Sequence, residues 1–170
     1  MPEPLLVRDV MRIGVPTCKE TDPLHKVAAL LLDQATTALI VLDDDGDTRG
    51  WISETHLAHA YQRIAHTIEG AESAAASHGL TAADIMHEKV AECPSDIPVA
   101  AAGQLMSDMG VDHLFMLHHA GGRAWPASVL SLRDLVRVLA GPGFYQNQGA
   151  AAPRPTPLDL FRQRYGLANR

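Results

Sequence analysis

Two four-residue patterns in this chain combine hydrogen-bonding side chains at a spacing suited to a helix start. Ser131-Leu132-Arg133-Asp134 sets a hydroxyl three residues ahead of a carboxylate, and Ser53-Glu54-Thr55-His56 sets a hydroxyl three ahead of an imidazole. The first backbone N–H groups of a helix have no partner within it, and side chains at this spacing can satisfy them as a capping box, with no ligand present. Thr81-Ala82-Ala83-Asp84 has the same spacing.

Other chemistry-bearing residues carry weaker patterns. Cys18 and Cys93 are too few for a disulfide framework and neither stands in a CxxC pair, so they read as free, buried small apolar residues, with redox sensing as the alternative. Asp43-Asp44-Asp45-Gly46-Asp47 has its glycine too early for a calcium loop and is flanked by apolar strand-like runs, so it reads as a hairpin turn. His56, His59 and His66, and the adjacent His118 and His119, lack Cys or acidic partners at ligand spacing, so no bound metal is expected. No nucleophile elbow, phosphate loop or zinc-hydrolase helix is present, and the chain is read as a non-enzyme.

These residues must be held by elements, and the elements occur twice. Arg8-Asp9-Val10-Met11 recurs as Ala83-Asp84-Ile85-Met86, and the same offset relates Cys18 to Cys93, Pro23 to Pro98 and Leu39 to Leu114. Ser53 and Leu57 match Ser131 and Leu135 three residues further on, which requires a longer turn near Gly121 in the second copy. Each copy reads as a short helical turn, then strand, helix, strand, strand, helix. The first long helix spans Pro23 to Gln34, with Leu24, Val27, Ala28, Leu31 and Ala35 on one face. Its counterpart spans Pro98 to Met109, with Val99, Ala102, Leu105, Met106 and Met109 inward, and proline opens both. A copy of about 60 residues is small for independent stability, so the two should pack against each other in an α/β (α+β) fold. The expected boundaries are 5–66 for the first repeat, 67–80 for a linker, 81–140 for the second repeat and 141–170 for a flexible tail, with Leu158 to Tyr165 a short amphipathic stretch.

The ordered succession VRDVM, a proline-led helix, ALIVLDDDG and GWIS, repeated as AADIM through SVLSLRDLV, resembles a tandem pair of cystathionine-β-synthase-type (CBS) domains, the Bateman module. The resemblance covers roughly residues 5 to 140. It implies an intramolecular pseudo-twofold pair of β-α-β-β-α repeats, often dimerising, with clefts that commonly bind adenine nucleotides such as AMP, ADP or ATP, or adenosyl compounds. It assigns Ser131 and Asp134 to the ligand signature: the helix N-terminus and the Ser131 hydroxyl suit a phosphate, Arg133 can contact it, and Asp134 can accept from a ribose diol. Val90, Ala91 and Cys93, with His113, Leu114 and Phe115, map to the walls of that pocket. In the first copy His56 replaces the acid and Glu54 adds negative charge, so Val15, Pro16, Ser53 and His56 form the weaker site. One nucleotide per chain is expected.

The whole chain has 170 residues, 46% hydrophobic and 20% charged, with a formal net charge of −6. Acidic balance without a basic cluster argues against nucleic-acid partners, and no apolar run approaches a membrane span. The N-terminus lacks a basic leader, and a cytoplasmic location is expected. The function expected is sensing of an adenine nucleotide in a cleft of the pair and signalling to a protein partner. The alternatives are a ligand-free dimeric scaffold and, behind it, a redox or metal sensor.

Overall fold

The computed structural model describes residues 3–67 and 79–145. The chain runs α1 (Val7–Val10), β1 (Arg12–Ile13), β2 (Thr17–Lys19), α2 (Leu24–Asp33), β3 (Ala38–Leu42), β4 (Thr48–Ser53), α3 (Glu54–Thr67), α4 (Ala82–Ile85), α5 (Val99–Met109), β5 (His113–Ala120), β6 (Arg123–Ser131), α6 (Leu132–Ala140) and α7 (Pro142–Tyr145). The strands form two sheets, ordered β2-β3-β4 and β1-β6-β5.

Local chemistry sets the element ends. Pro23 and Pro98 stand one position before the helices, as caps with ψ of 151° and 142°, and not at the first helical position as expected. Their carbonyls accept the N–H groups of Val27 and Ala102, while their missing donors cost nothing there. Helix α5 ends on Gly110 in the left-handed region, whereas α2 is followed by Ala35 at φ 46°. Leu24, Val27 and Leu31, and Val99, Ala102 and Met106, are buried as their spacing requires, but Ala35 and Met109 lie past the inward face and are exposed. The acidic run is a self-capped turn, in which Asp43 Oδ1 accepts from the N–H groups of Asp45 at 3.0 Å and Asp47 at 2.9 Å. The second hairpin turns on Gly121 and Gly122, both at positive φ, as a two-residue turn of this hand requires.

The repeat symmetry is written in backbone hydrogen bonds. Ile40 donates to Pro16 O at 3.0 Å, and the equivalent Phe115 donates to Ala91 O at 2.7 Å. The second copy's first strand is nevertheless reduced to a single bridge, Glu92 to Phe115, with Cys93 N–H donating to Phe115 O at 3.0 Å.

The lead-in segments cross over. Helix α1 joins the second repeat's core, with Val7 N–H donating to Ile97 O at 3.0 Å, and α4 joins the first, with Ala82 N–H donating to Asp22 O at 2.9 Å. Strand β1 pairs with β6 through Arg12 and Val129, and His87 bridges Trp51 in the equivalent way. Sequence order alone assigns each lead-in turn to its own copy. A four-residue helix is not stable alone, and its two apolar residues complete whichever core they can reach.

Strand alternation then divides the core. Leu39 and Val41 face the first repeat's helices, Leu114 and Met116 face the second's, and the intervening Ile40 and Phe115 meet Trp51, Ala38 and Val129 between the repeats. Residues Pro142–Tyr145, expected in the tail, form a short helix against α6. The stretch Leu158 to Tyr165 lies outside the described residues.

Candidate ligand clefts between the repeats

Each repeat's last helix begins directly at the end of its hairpin's second strand, β4 or β6. At the second, Asp134 is a helix cap: its Oδ2 accepts from the backbone N–H and the hydroxyl of Ser131, both at 2.8 Å, and its Oδ1 accepts from Arg137 at 2.7 Å. Asp134 is 3% exposed. The structure thus brings Ser131 and Asp134 into contact and leaves Arg133 exposed on the first turn.

Ser131 pairs across the hairpin with His113, which is buried on the seam. The His113 ring joins Asp112 Oδ1 through Nδ1 at 2.8 Å and Thr37 Oγ1 of the first repeat through Nε2 at 2.7 Å. The ring thus ties the second repeat's Asp112 to the first repeat's Thr37 through its two nitrogens.

At the first repeat, His56 does what Asp134 does at the second: Ser53 N–H donates to His56 Nδ1 at 3.0 Å. That bond needs a neutral ring, and burial pulls the His56 pKa below its ordinary value. Trp51 meets His56 edge-on at 4.9 Å between ring centroids. Here the second repeat intrudes. Asp112 Oδ2 accepts from the Thr55 hydroxyl at 2.8 Å and the Ser53 hydroxyl at 3.4 Å, across the seam. The His113 hydrogen bond first, then electrostatic attraction to the His113 ring and the Thr55 hydrogen bond, hold Asp112 down to about 2 against its burial.

The remaining nominated residues are mostly core. Leu114 and Ala91 belong to the second repeat's core, Phe115 to the cluster between repeats, and Val15 and Val90 pack against that cluster; Pro16 is partly buried. Cys93 is buried with its thiol 3.8 Å from Met116 Sδ. It lines a cavity of about 490 Å³ together with Met11, Ser95, His118 and Ser128, away from the Ser131 helix start. Burial pushes the Cys93 thiol up to about 11 and that of Cys18 to about 12. Among the described residues, no three His, Cys, Asp or Glu side chains converge as metal ligands, and no helix is long and apolar enough to cross a membrane.

Asp112, Thr37 and Trp51 were not singled out from the sequence. The repeat offset carried the signal, because it equates Thr37 with Asp112, each placed just before its hairpin's first strand.

Two β-α-β-β-α repeats related by a pseudo-twofold, with exchanged lead-in segments and a helix start facing the seam in each, define a paired-repeat module. The CBS domain profile matches residues 7–63 and 82–141, and the chain belongs to the CBS-domain family. Solved structures share the fold. The CBS domain pair of protein MJ0100, in complex with 5′-methylthioadenosine and S-adenosyl-L-methionine, is 18% identical, with 81% of this chain and 98% of that one aligned at a TM-score of 0.62. A CBS-domain-containing protein from Agrobacterium tumefaciens is 22% identical over 75% of this chain and 85% of its own, at a TM-score of 0.59. CBSX2 in complex with AMP is 19% identical over 80% and 96%, at 0.54. No curated protein matches the sequence.

Proposed function

We propose that the chain is a regulatory module that binds one adenine nucleotide, or an adenosyl compound, in the cleft at the start of α6 and passes its occupancy to a protein partner. One observation carries this reading. Ser131 and Asp134 sit at a helix N-terminus on the seam, linked through His113 to Thr37 of the other repeat, so a ligand there touches the contact that sets how the repeats meet. Structures of the same fold hold AMP, or methylthioadenosine and S-adenosylmethionine, which supports an adenosyl group as ligand. A ribose diol would share Asp134 with Ser131 and Arg137, and a phosphate would lie toward Arg133 and the Ser131 hydroxyl. Ligand shifts the module only by favouring one arrangement of the repeats over another.

The module is proposed to act as a homodimer. Leu132, Val136 and Leu139 form an outward stripe along α6, exposed by 50%, 62% and 88%, which a second copy would cover.

Titration calorimetry and thermal shift with AMP, ADP, ATP and S-adenosylmethionine test the reading. Saturating ligand at a hundred times Kd stabilises by about 2.7 kcal/mol. Binding lost in Ser131→Ala and Arg133→Ala, with melting of the free variants near that of the parent, supports the site; no binding by the parent rejects it. The second reading, a ligand-free scaffold, draws on one fact: protein groups already occupy both Asp134 oxygens.

A further inference from the structure

The two clefts are built on the same plan but are not equal, and the difference lies at one symmetry-related pair. Backbone bonds establish the equivalence: Thr37 O accepts from Glu54 N–H at the start of α3, and Asp112 O accepts from Leu132 N–H at the start of α6, both at 3.1 Å. From these matched positions the side chains cross the seam. The Asp112 carboxylate reaches the Thr55 and Ser53 hydroxyls at the start of α3, whereas Thr37 offers only its hydroxyl, to His113. Equivalent hydroxyls that would greet an anion at the first repeat are therefore already bonded to the protein's own anion.

The first turns add to this. Helix α3 opens with Glu54 and Thr55 where α6 has Leu132 and Arg133. The first helix start thus meets one carboxylate across the seam, Asp112, with His56 neutral in its cap and Glu54 exposed on the same turn. At the second, Arg133 is exposed on the first turn and Asp134 is paired with Arg137. Like charges at hydrogen-bonding range in a half-buried site disfavour a phosphate strongly.

We propose that Asp112 is the residue that closes the first-repeat cleft to phosphorylated ligands, acting as an internal anion at the Ser53–Thr55 helix start and thereby setting the module to one nucleotide per chain. This rests on the functional reading above and adds its stoichiometry and its cause. The same charge rule makes the position transferable: a carboxylate at 37 should close the second cleft as Asp112 closes the first.

Calorimetry with AMP, and separately with uncharged adenosine, tests it on the full chain. The parent should bind one AMP. Asp112→Asn keeps an acceptor for Thr55 without the charge, and it or Asp112→Thr should bind a second AMP; Thr37→Asp should weaken the remaining AMP site at least tenfold while changing adenosine binding much less. Melting curves of each variant without ligand report folding. A parent that binds neither compound rejects the functional reading, and this inference with it. A parent that binds two AMP, or one AMP unchanged in both Asp112 variants, overturns the inference alone and leaves the functional reading standing.

Discussion

Gly50 lies so close to His87 that a β-carbon on it would stand 2.5 Å from the His87 carbonyl oxygen and 3.2 Å from the Glu88 Cα. Both are backbone atoms, held in place by reciprocal 3.0 Å hydrogen bonds between Trp51 and His87, where the second repeat's lead-in meets β4. Gly50→Ala must push that segment away. The expected cost is about 1–3 kcal/mol, the range for overpacking. Urea unfolding measures it, and an unchanged midpoint would show that the contact yields easily.

Arg12 closes α2 from outside. Its guanidinium donates to Ala35 O at 2.6 Å and Gln34 O at 2.7 Å, a cation at the negative end of the helix. Arg12→Ala is expected to lower stability by about 1–2 kcal/mol. Arg12→Lys, which keeps charge but not the fork, should recover less than half of it in the same unfolding assay.

Acid should loosen the first repeat through His56. Its pKa is lower folded than the ordinary 6.5, so the folded state favours the neutral ring. Above 6.5 both states are neutral and the contribution is complete; as pH falls below 6.5 the unfolded chain takes the proton first and stability declines. Asp112, held at about 2, is depressed from 3.8, so its own contribution is intact above 3.8 and fades only toward 2. The melting temperature should therefore drop between about pH 7.5 and pH 5.5, and drop less in His56→Asn, whose side-chain carbonyl caps Ser53 without titrating. Equal slopes for the two proteins would remove His56 as the cause.

Both thiols are buried and pushed up, to about 12 for Cys18 and about 11 for Cys93, so neither holds appreciable thiolate near neutral pH. Alkylation of the native protein at about pH 8 should be at least a hundredfold slower than in denaturant. Fast native labelling would instead revive the redox reading.

Much of the fold was legible because each repeat states its elements in local chemistry. Leu24, Val27 and Leu31 have helical spacing and Pro23 a fixed φ, and Gly121-Gly122 marks a tight hairpin turn. The offset between Asp9 and Asp84 and between Cys18 and Cys93 exposed the duplication. The Ser131-to-Asp134 spacing was legible as a cap, and its bonds are those of a cap. Asp112 was not legible, because nothing near it in sequence reveals that its carboxylate ends at Thr55, more than fifty residues away.

The sequence by itself determined the duplicated strand and helix order, the helix starts and the buried faces, because backbone propensity and periodicity act over a few residues. Only tertiary structure decided which core each lead-in helix enters and which cleft receives the Asp112 carboxylate. Both outcomes depend on contacts such as Trp51 with His87 and Asp112 with Thr55, which join residues distant in sequence and exist only once both repeats are folded together.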